Sequence, residues 1–420
     1  MAVQPDNNAI ILGIAGLSTL GVIARPLKIP EFVWAMLGAA VLIGFGLLPW
    51  QEAIAAAAKG TDVYLFLIGM MLLSEVARLK GLFDWLAAIA VGHAKGSAKR
   101  LFLIVYGVGT LVTVLLSNDA TAVVLTPAVY AAATAARVEP LPFLFVCAFI
   151  ANAASFVLPI SNPANLVVFG AHMPPLAQWL YHFTLPSIAS ILVTYAALRF
   201  TQRRALTQRV AEPTASPPLS LGGKCVALGI GATAGVLLAA SALDRQLGLP
   251  TFVAGTAVTA IVLLISRQSP LPVVRHGSWS VLPLVAGLFI LVEGVQRTGL
   301  LQSLASMLHQ AATVDPRATS LGAGAVVAFA SNLLNNLPTG LVAATVTANA
   351  DVPVQVTSGL LIGVDLGPNL SVTGSLATIL WLIALRREGE AVTAWRFLKL
   401  GMVVMPPALL AALLAMMATP

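Results

Sequence analysis

VDLGPNLSVTGSLATILW, residues 364–381, lies inside an apolar C-terminal segment yet carries Asp365, Gly367, Pro368, Asn369, Ser371, Thr373, Gly374 and Ser375. Gly367-Pro368 and Thr373-Gly374 are expected to unwind the middle of a segment, 355–385, that is longer than one bilayer crossing requires. Backbone groups freed in this way must find partners. At membrane depth, non-helical backbone is tolerated only where it lines a cavity or is packed in protein, so an unwound middle marks a binding site.

The composition places that break in a membrane. Of 420 residues, 58% are hydrophobic and 9% charged, with a mean hydropathy of +0.92, more apolar surface than a water-soluble domain could bury. Repeated apolar runs long enough to cross a hydrocarbon core of about 30 Å indicate an all-α polytopic membrane protein, and the alternation of an outer-membrane barrel is missing. The net charge of +7 therefore bears on orientation and not on nucleic acid. No Lys or Arg precedes the first apolar run, so the cationic start of a cleavable signal peptide is missing. Cys147 and Cys225, in or beside apolar segments, read as small hydrophobes, and no cofactor or metal is expected.

The chain reads twice. LFLIGMMLLSEVARLKGLFDWLA (65–87) aligns without gaps on PLVAGLFILVEGVQRTGLLQSLA (283–305), pairing Gly69 with Gly287, Glu75 with Glu293 and Gly81 with Gly299 at an offset of 218. At the same offset LLSNDAT (115–121) falls on LLNNLPT (333–339), and after the loss of about six residues Ser161 meets Thr373. An internal duplication of this kind is how many secondary transporters are built, with the site where the copies meet. The expected layout is a first membrane repeat at 1–200, with a re-entrant hairpin at 100–137 and a broken helix at 141–170. A cytoplasmic linker follows at 201–223, marked by EPTASPPLS. The second repeat takes 224–420, with its hairpin at 319–350 and broken helix at 355–385. About five full spans per copy, an odd number, make the second copy inverted. With both termini outside, all of the 23 cations except Lys59, Arg245, Arg297 and Arg317 then face the cytoplasm, the asymmetry expected of an inner-membrane protein.

The first copy repeats the opening design in FVLPISNPANLVV (156–168), where Pro159 and Pro163 bracket Ser161-Asn162 and Asn165 follows. The hairpin tips Ser117-Asn118-Asp119 and Asn335-Asn336-Leu337-Pro338 add two more polar interruptions, so that four breaks are expected to converge at the bilayer midplane.

The segments SNDATAVVLTP (117–127), NNLPTGLV (335–342) and DLGPNLSVTGSLATILW (365–381) resemble those of the arsenite/antimonite efflux permeases (arsenical pump membrane proteins) of the ion transporter superfamily. That resemblance implies extrusion of arsenite or antimonite as the neutral trihydroxide in exchange for protons, sometimes with a cytosolic ATPase partner. Superfamily members that move dicarboxylates with sodium carry Ser-Asn-Thr at each tip, which this chain lacks.

The residues are chemically suited to such a solute. Arsenous acid is small and neutral at pH 7, so its site needs amides and hydroxyls and not fixed cations. Asn118, Ser161, Asn162, Asn165, Asn336, Asn369, Thr373 and Ser375 are the candidate substrate-binding groups. No Arg or Lys falls at the expected midplane, whereas a carboxylate substrate would want one. Asp119 and Asp365, each at a break, are the leading candidates for proton coupling. A charged Asp at mid-bilayer costs about 2.5–3.5 kcal/mol on insertion scales, so each should be protonated, paired or facing a wet cavity. Glu75 and Glu293 are repeat-equivalent candidates, but lie near Arg78 and Arg297, with which ion pairs are equally expected. His93, His172, His182, His276 and His309 fall near span ends, where solvated or hydrogen-bonded roles are expected. An Asp119–Asp365 dyad would suit an intramembrane enzyme, but no Gly-x-Gly-Asp or His-Glu-x-x-His motif accompanies it. A channel is disfavoured by broken helices in a duplicated chain, which suit alternating access, and a carrier for another small solute or organic anion remains the alternative.

Overall fold

The structure, a computed structural model, describes residues 5–170, 173–211 and 218–418; His172 and the middle of the 201–223 linker lie outside them. Every element of any length among the described residues is helical, and the one isolated bridge joins Ser97 to Arg209. The first half comprises α1 (Pro5–Ala24), α2 (Glu31–Gly44), α3 (Trp50–Ala58), α4 (Thr61–Leu79), α5 (Leu82–His93) and α6 (Ala98–Leu115). A π-helical stretch, Ala120–Leu125, leads into α7 (Thr126–Ala135), and α8 (Leu141–Ala153), α9 (Pro163–Phe169) and α10 (Leu176–Thr201) complete it. The second half comprises α11 (Leu221–Ala242), α12 (Gly248–Ile265), α13 (Leu271–His276), α14 (Val281–Arg297) and α15 (Leu300–Val314). It continues with α16 (Pro316–Leu334), α17 (Asn336–Ala350), α18 (Val354–Leu366), α19 (Leu376–Arg387) and α20 (Ala394–Met417).

Six of these helices, α6, α10 and α20 among them, are long and apolar enough to cross a membrane. Their outward faces remain apolar: Leu192 is 60% exposed and Leu264 77%. Such surface is stable against lipid and unfavourable against water. The structure therefore belongs to a multi-pass membrane protein.

Local geometry recurs at the offset read from the sequence. Gly81 (φ 68°) ends α4 and Gly299 (φ 80°) ends α14, both left-handed and both followed at once by a second helix. The α14–α15 corner bends by 78°. A glycine is needed there because the left-handed region costs other residues energy. The helices α5 and α15 that follow these corners, like the short α3 and α13, were not anticipated from hydropathy, because they are too short or too amphipathic to register as spans.

The two halves exchange partners. Helix α4 packs most extensively on α12, and α14 correspondingly on α2. Gly69 and Gly287, the pair matched in the sequence alignment, are where these helices touch: a Cβ on Gly69 would strike the Thr251 carbonyl, and one on Gly287 would meet the Ala35 backbone at 2.8 Å. Small residues let backbones approach closely in a membrane, where no hydrophobic force drives helices together. Gly69→Val is therefore expected to lower the melting temperature and monodispersity of detergent-purified protein, whereas Gly92→Val, at a position with open space around it, should leave both near wild type. Equal behaviour of the two variants would contradict this packing role.

Candidate functional site

Four chain interruptions meet at the centre of the bundle. Helix α6 ends at Leu115 and α16 at Leu334, and residues 116–119 and Asn335 interrupt the chain before it resumes helix. At the second tip Asn335 takes φ 72°, and its side chain accepts from Leu337 N at 3.3 Å while donating to Thr373 O. The first broken segment leaves helix at Ala153, earlier than Pro159 alone would require, and resumes at α9. The second leaves it at Leu366, passes through one 3-10 turn at Gly367–Asn369, and resumes at α19.

Both resuming helices start with side-chain caps. Asn162 Oδ1 accepts from Ala164 N (3.0 Å) ahead of Pro163 at the first helical position, and Ser375 Oγ accepts from Thr378 N (3.1 Å). Such caps satisfy amides that would otherwise be orphaned in a low-dielectric interior. The equivalence is therefore Asn162 with Ser375, an offset of 213, and not Ser161 with Thr373 as the sequence alignment had placed it. Pro140 and Pro353, preceding α8 and α18, keep the same offset.

That offset identifies a residue the sequence reading overlooked. Asn152, fully buried near the end of α8, is the counterpart of Asp365 on α18. Each holds the cap of the opposite copy: Asn162 Nδ2 donates to Asp365 Oδ1 at 2.8 Å, and Ser375 Oγ donates to Asn152 Oδ1 at 3.4 Å. Asn152 Nδ2 in turn donates to Asn369 Oδ1 at 3.0 Å, and Asn369 Nδ2 to the Phe149 carbonyl at 3.0 Å. Asn152 lies seven residues before the nearest proline, Pro159, and carries no motif of its own; only the corrected register singles it out.

A narrow crevice, about 20 Å³ in volume, is lined by Asn118 and Asn336 from the two tips, Asn162 and Ser375 from the two caps, and Asp119. It has room for roughly one water molecule. Asp119 and Pro163 also line a much larger cavity of about 540 Å³, so the crevice is the inner end of a wide vestibule. Asp119 stands where the two merge. No Arg or Lys lines the crevice; the cations of the vestibule are Arg78 and Arg387.

The remaining candidates divide clearly. Asn165 donates to the carbonyls of Ser155, Leu158 and Pro159, and Ser161 donates to Val114 O, so both brace the first break. Thr373 donates to Asn332 O, and Asn369 ties α18 to α8, so both brace the second. Asp365 is fully buried behind Asn162, and its Oδ2 has no partner among the described residues. Glu75 lines the vestibule and accepts from Arg78 Nε at 2.9 Å. Glu293 pairs with Lys59 at 2.6 Å, not with Arg297 as expected; Arg297 instead reaches Glu52 (3.7 Å) and the Leu47 carbonyl, because α3 packs on α14 and presents Glu52 and the flanking Lys59 to it. His93 and His309 bond backbone carbonyls at Ile89 and Ala350. Among the described residues no three of His, Cys, Asp or Glu gather as metal ligands.

The cap-holding network makes a stability prediction. Asn152→Ala would leave the Asn369 Oδ1 acceptor unpaired and should destabilise by about 1–3 kcal/mol. This would be read as a fall in detergent melting temperature; Asn349→Ala, which loses only an exposed bond within its own helix to Thr345 O, should change little.

Comparison with known proteins agrees with this architecture. The family model described as CitMHS, citrate transporter, matches residues 19–363. The arsenical pump membrane protein of Escherichia coli strain K12 is 27% identical over 368 residues, covering 83% of this chain and 84% of that protein. An uncharacterized transporter of Mycobacterium tuberculosis is 26% identical, covering 90% and 91%. The crystal structure of the Alcanivorax borkumensis YdaH transporter superposes with a TM-score of 0.60 at 15% identity, covering 98% of each chain. The Neisseria gonorrhoeae MtrF structure does so at 0.55 and 15%, covering 90% of this chain and 83% of that one. At such identity the two structures speak for the fold alone. With the family pattern spanning most of its length, a broken-helix membrane fold throughout and transporters among its relatives, this chain belongs to the CitMHS family of transporters.

Proposed function

We propose that the chain is a secondary transporter that exports arsenite and antimonite, as neutral trihydroxides, in exchange for protons. The observation that carries this reading is the crevice where the four breaks meet: amides and capped helix starts line it, one carboxyl group borders it, and no cation enters it. A trihydroxide presents three hydroxyls and no charge, which such groups can bind as donors and acceptors and release again. The curated relatives described as arsenical pump membrane proteins support the same solute.

Asp119 is the coupling acid in this proposal. It stands on the crevice wall and in the vestibule, where both solute and water reach it. Its counterpart in the other copy is Leu337, so the duplicated site holds a single acid at this position. Asp365 serves chiefly to position Asn162, while Glu75 and Glu293 act as partners of Arg78 and Lys59. Importing one proton against a neutral solute draws about 2.3 kcal/mol per 100 mV from the membrane potential, in addition to any pH gradient.

Inverted copies and outward-facing termini form part of the proposal, and residue grouping supports them. Arg78 and Arg387, assigned to the cytoplasm, line the vestibule together, and Lys80 bonds Gln268 at 2.6 Å beside cytoplasmic Arg267. Outside residues likewise keep company: Lys59 with Glu293, and Arg245 with Asp62 around a void of about 30 Å³. On this assignment the vestibule opens to the cytoplasm, and the outer end is shut where Gly248 N donates to Asp62 Oδ1 at 2.8 Å.

A second reading, exchange of an organic anion, is favoured by the family description and by Arg78 and Arg387 in the vestibule. Proteoliposomes distinguish the two. Loaded vesicles should show saturable, pH-gradient-driven arsenite movement and no citrate counterflow; the reverse pattern would reject the arsenical assignment. Asp119→Asn should abolish pH-driven uptake, by at least about 100-fold, while preserving the melting temperature. Retention of pH-driven transport by Asp119→Asn would remove that residue from the coupling step but leave the solute assignment standing.

A further inference from the structure

A second groove, remote from the crevice, lies at the end of α10 and the start of α6. Its volume is about 420 Å³, and its walls carry three cations, Lys99, Arg199 and Arg203, above the rings of Tyr195 and Phe200. Tyr195 is fixed from below by the rings of Phe102 (6.0 Å) and Tyr106 (5.1 Å), and Tyr106 donates to the Ile191 carbonyl, so the floor is rigid. Arg199 lies 5.9 Å from the Tyr195 ring and Arg203 4.6 Å from that of Phe200. None of the three cations forms an ion pair among the described residues. Beside them Val210 N donates to Gly96 O and Ala211 N to Ala136 O, so residues 210–211 strap the chain after α10 to the start of α6 and the end of α7.

The apolar surface continues from the groove along the membrane. Leu185, Ile188, Leu192 and Phe200 are exposed at helical spacing on α10, and Leu103 is exposed one turn beyond Lys99 on α6. An acidic headgroup above two hydrocarbon chains matches this combination of cations at a span end and a bare apolar stripe below them. The other copy lacks it. Arg317 is the counterpart of Lys99, but the last turn of α20, the helix that matches α10, carries no Lys or Arg. The cluster was thus added to one copy only.

We propose that this groove is a binding site for an anionic phospholipid, its phosphate held by Lys99, Arg199 and Arg203 and its acyl chains laid along α10 and α6. Because the linker and the hairpin base meet there, bound lipid would brace the first hairpin against α10. The inference rests on neither the transported solute nor the coupling acid.

The test is native mass spectrometry of detergent-purified, delipidated protein titrated with phosphatidylglycerol or phosphatidylcholine. Wild type should retain phosphatidylglycerol in preference to phosphatidylcholine. The variant Lys99→Gln/Arg199→Gln/Arg203→Gln should lose about 100-fold in affinity, near fivefold per charge. A charge-matched control, Lys224→Gln/Arg275→Gln/Arg396→Gln, should lose less than about fivefold. Arg203→Gln alone, a change to an exposed side chain that only stacks on Phe200, should give about fivefold and guards against misfolding of the triple variant. Equal losses in both triple variants, equal retention of the two lipids, or displacement by glycerol phosphate as effective as by intact lipid would overturn the proposal.

Discussion

The site depends on two hydrogen bonds that cross between the copies. Each helix that restarts inside the membrane begins with a polar cap, and each cap is gripped by a side chain of the other copy's incoming helix: Asn162 by Asp365, and Ser375 by Asn152. A capped helix start in hydrocarbon is costly unless its donors and acceptors are satisfied, so neither broken segment is self-sufficient. The buried helices α8 and α18 supply the missing partners. The gap between the two gripped caps is the crevice itself.

Much of this was legible in the chain. The apolar runs, the breaks around Pro163 and Pro368, the tips at Asn118 and Asn336 and the recurrence of Gly69 and Gly81 at 287 and 299 all follow from local chemistry: glycine where backbones touch or turn left-handed, proline and asparagine where helices stop and start. What stayed hidden depended on distance. Asn152 has no breaker beside it, and its role appears only when α8 and α18 are aligned one residue differently. The partner of Glu293 was misassigned for a similar reason. Sequence proximity favoured Arg297, four residues on in the same helix, but α3 packs on α14 and brings Lys59 to Glu293 and Glu52 to Arg297.

The candidate list also mixed two kinds of polar residue that composition cannot separate. Asn165, Ser161, Thr373 and Asn369 face backbone carbonyls and hold the unwound segments in shape, while Asn118, Asn336, Asn162 and Ser375 face the crevice. Both kinds occur in the same short motifs, because a broken helix needs bracing wherever it needs a binding face. Only the direction of each side chain distinguishes them.

Duplication supplies the frame, and departures from it supply the chemistry. Where the copies agree, as at Asn118 and Asn336, the crevice has matching walls that a small uncharged solute could meet from either side. Where they differ, the site gains polarity: Asp119 faces Leu337, and Asp365 answers Asn152. A single acid on one wall of an otherwise matched pocket can be protonated or not without adding a fixed charge on the opposite wall. On the proposed reading this is what lets a neutral solute and a proton compete for one space. A symmetric pair of acids there would place two like charges around a gap barely wide enough for water, which the low dielectric would penalise heavily. On that reading, Leu337 is as much a part of the proposed coupling device as the carboxyl group of Asp119.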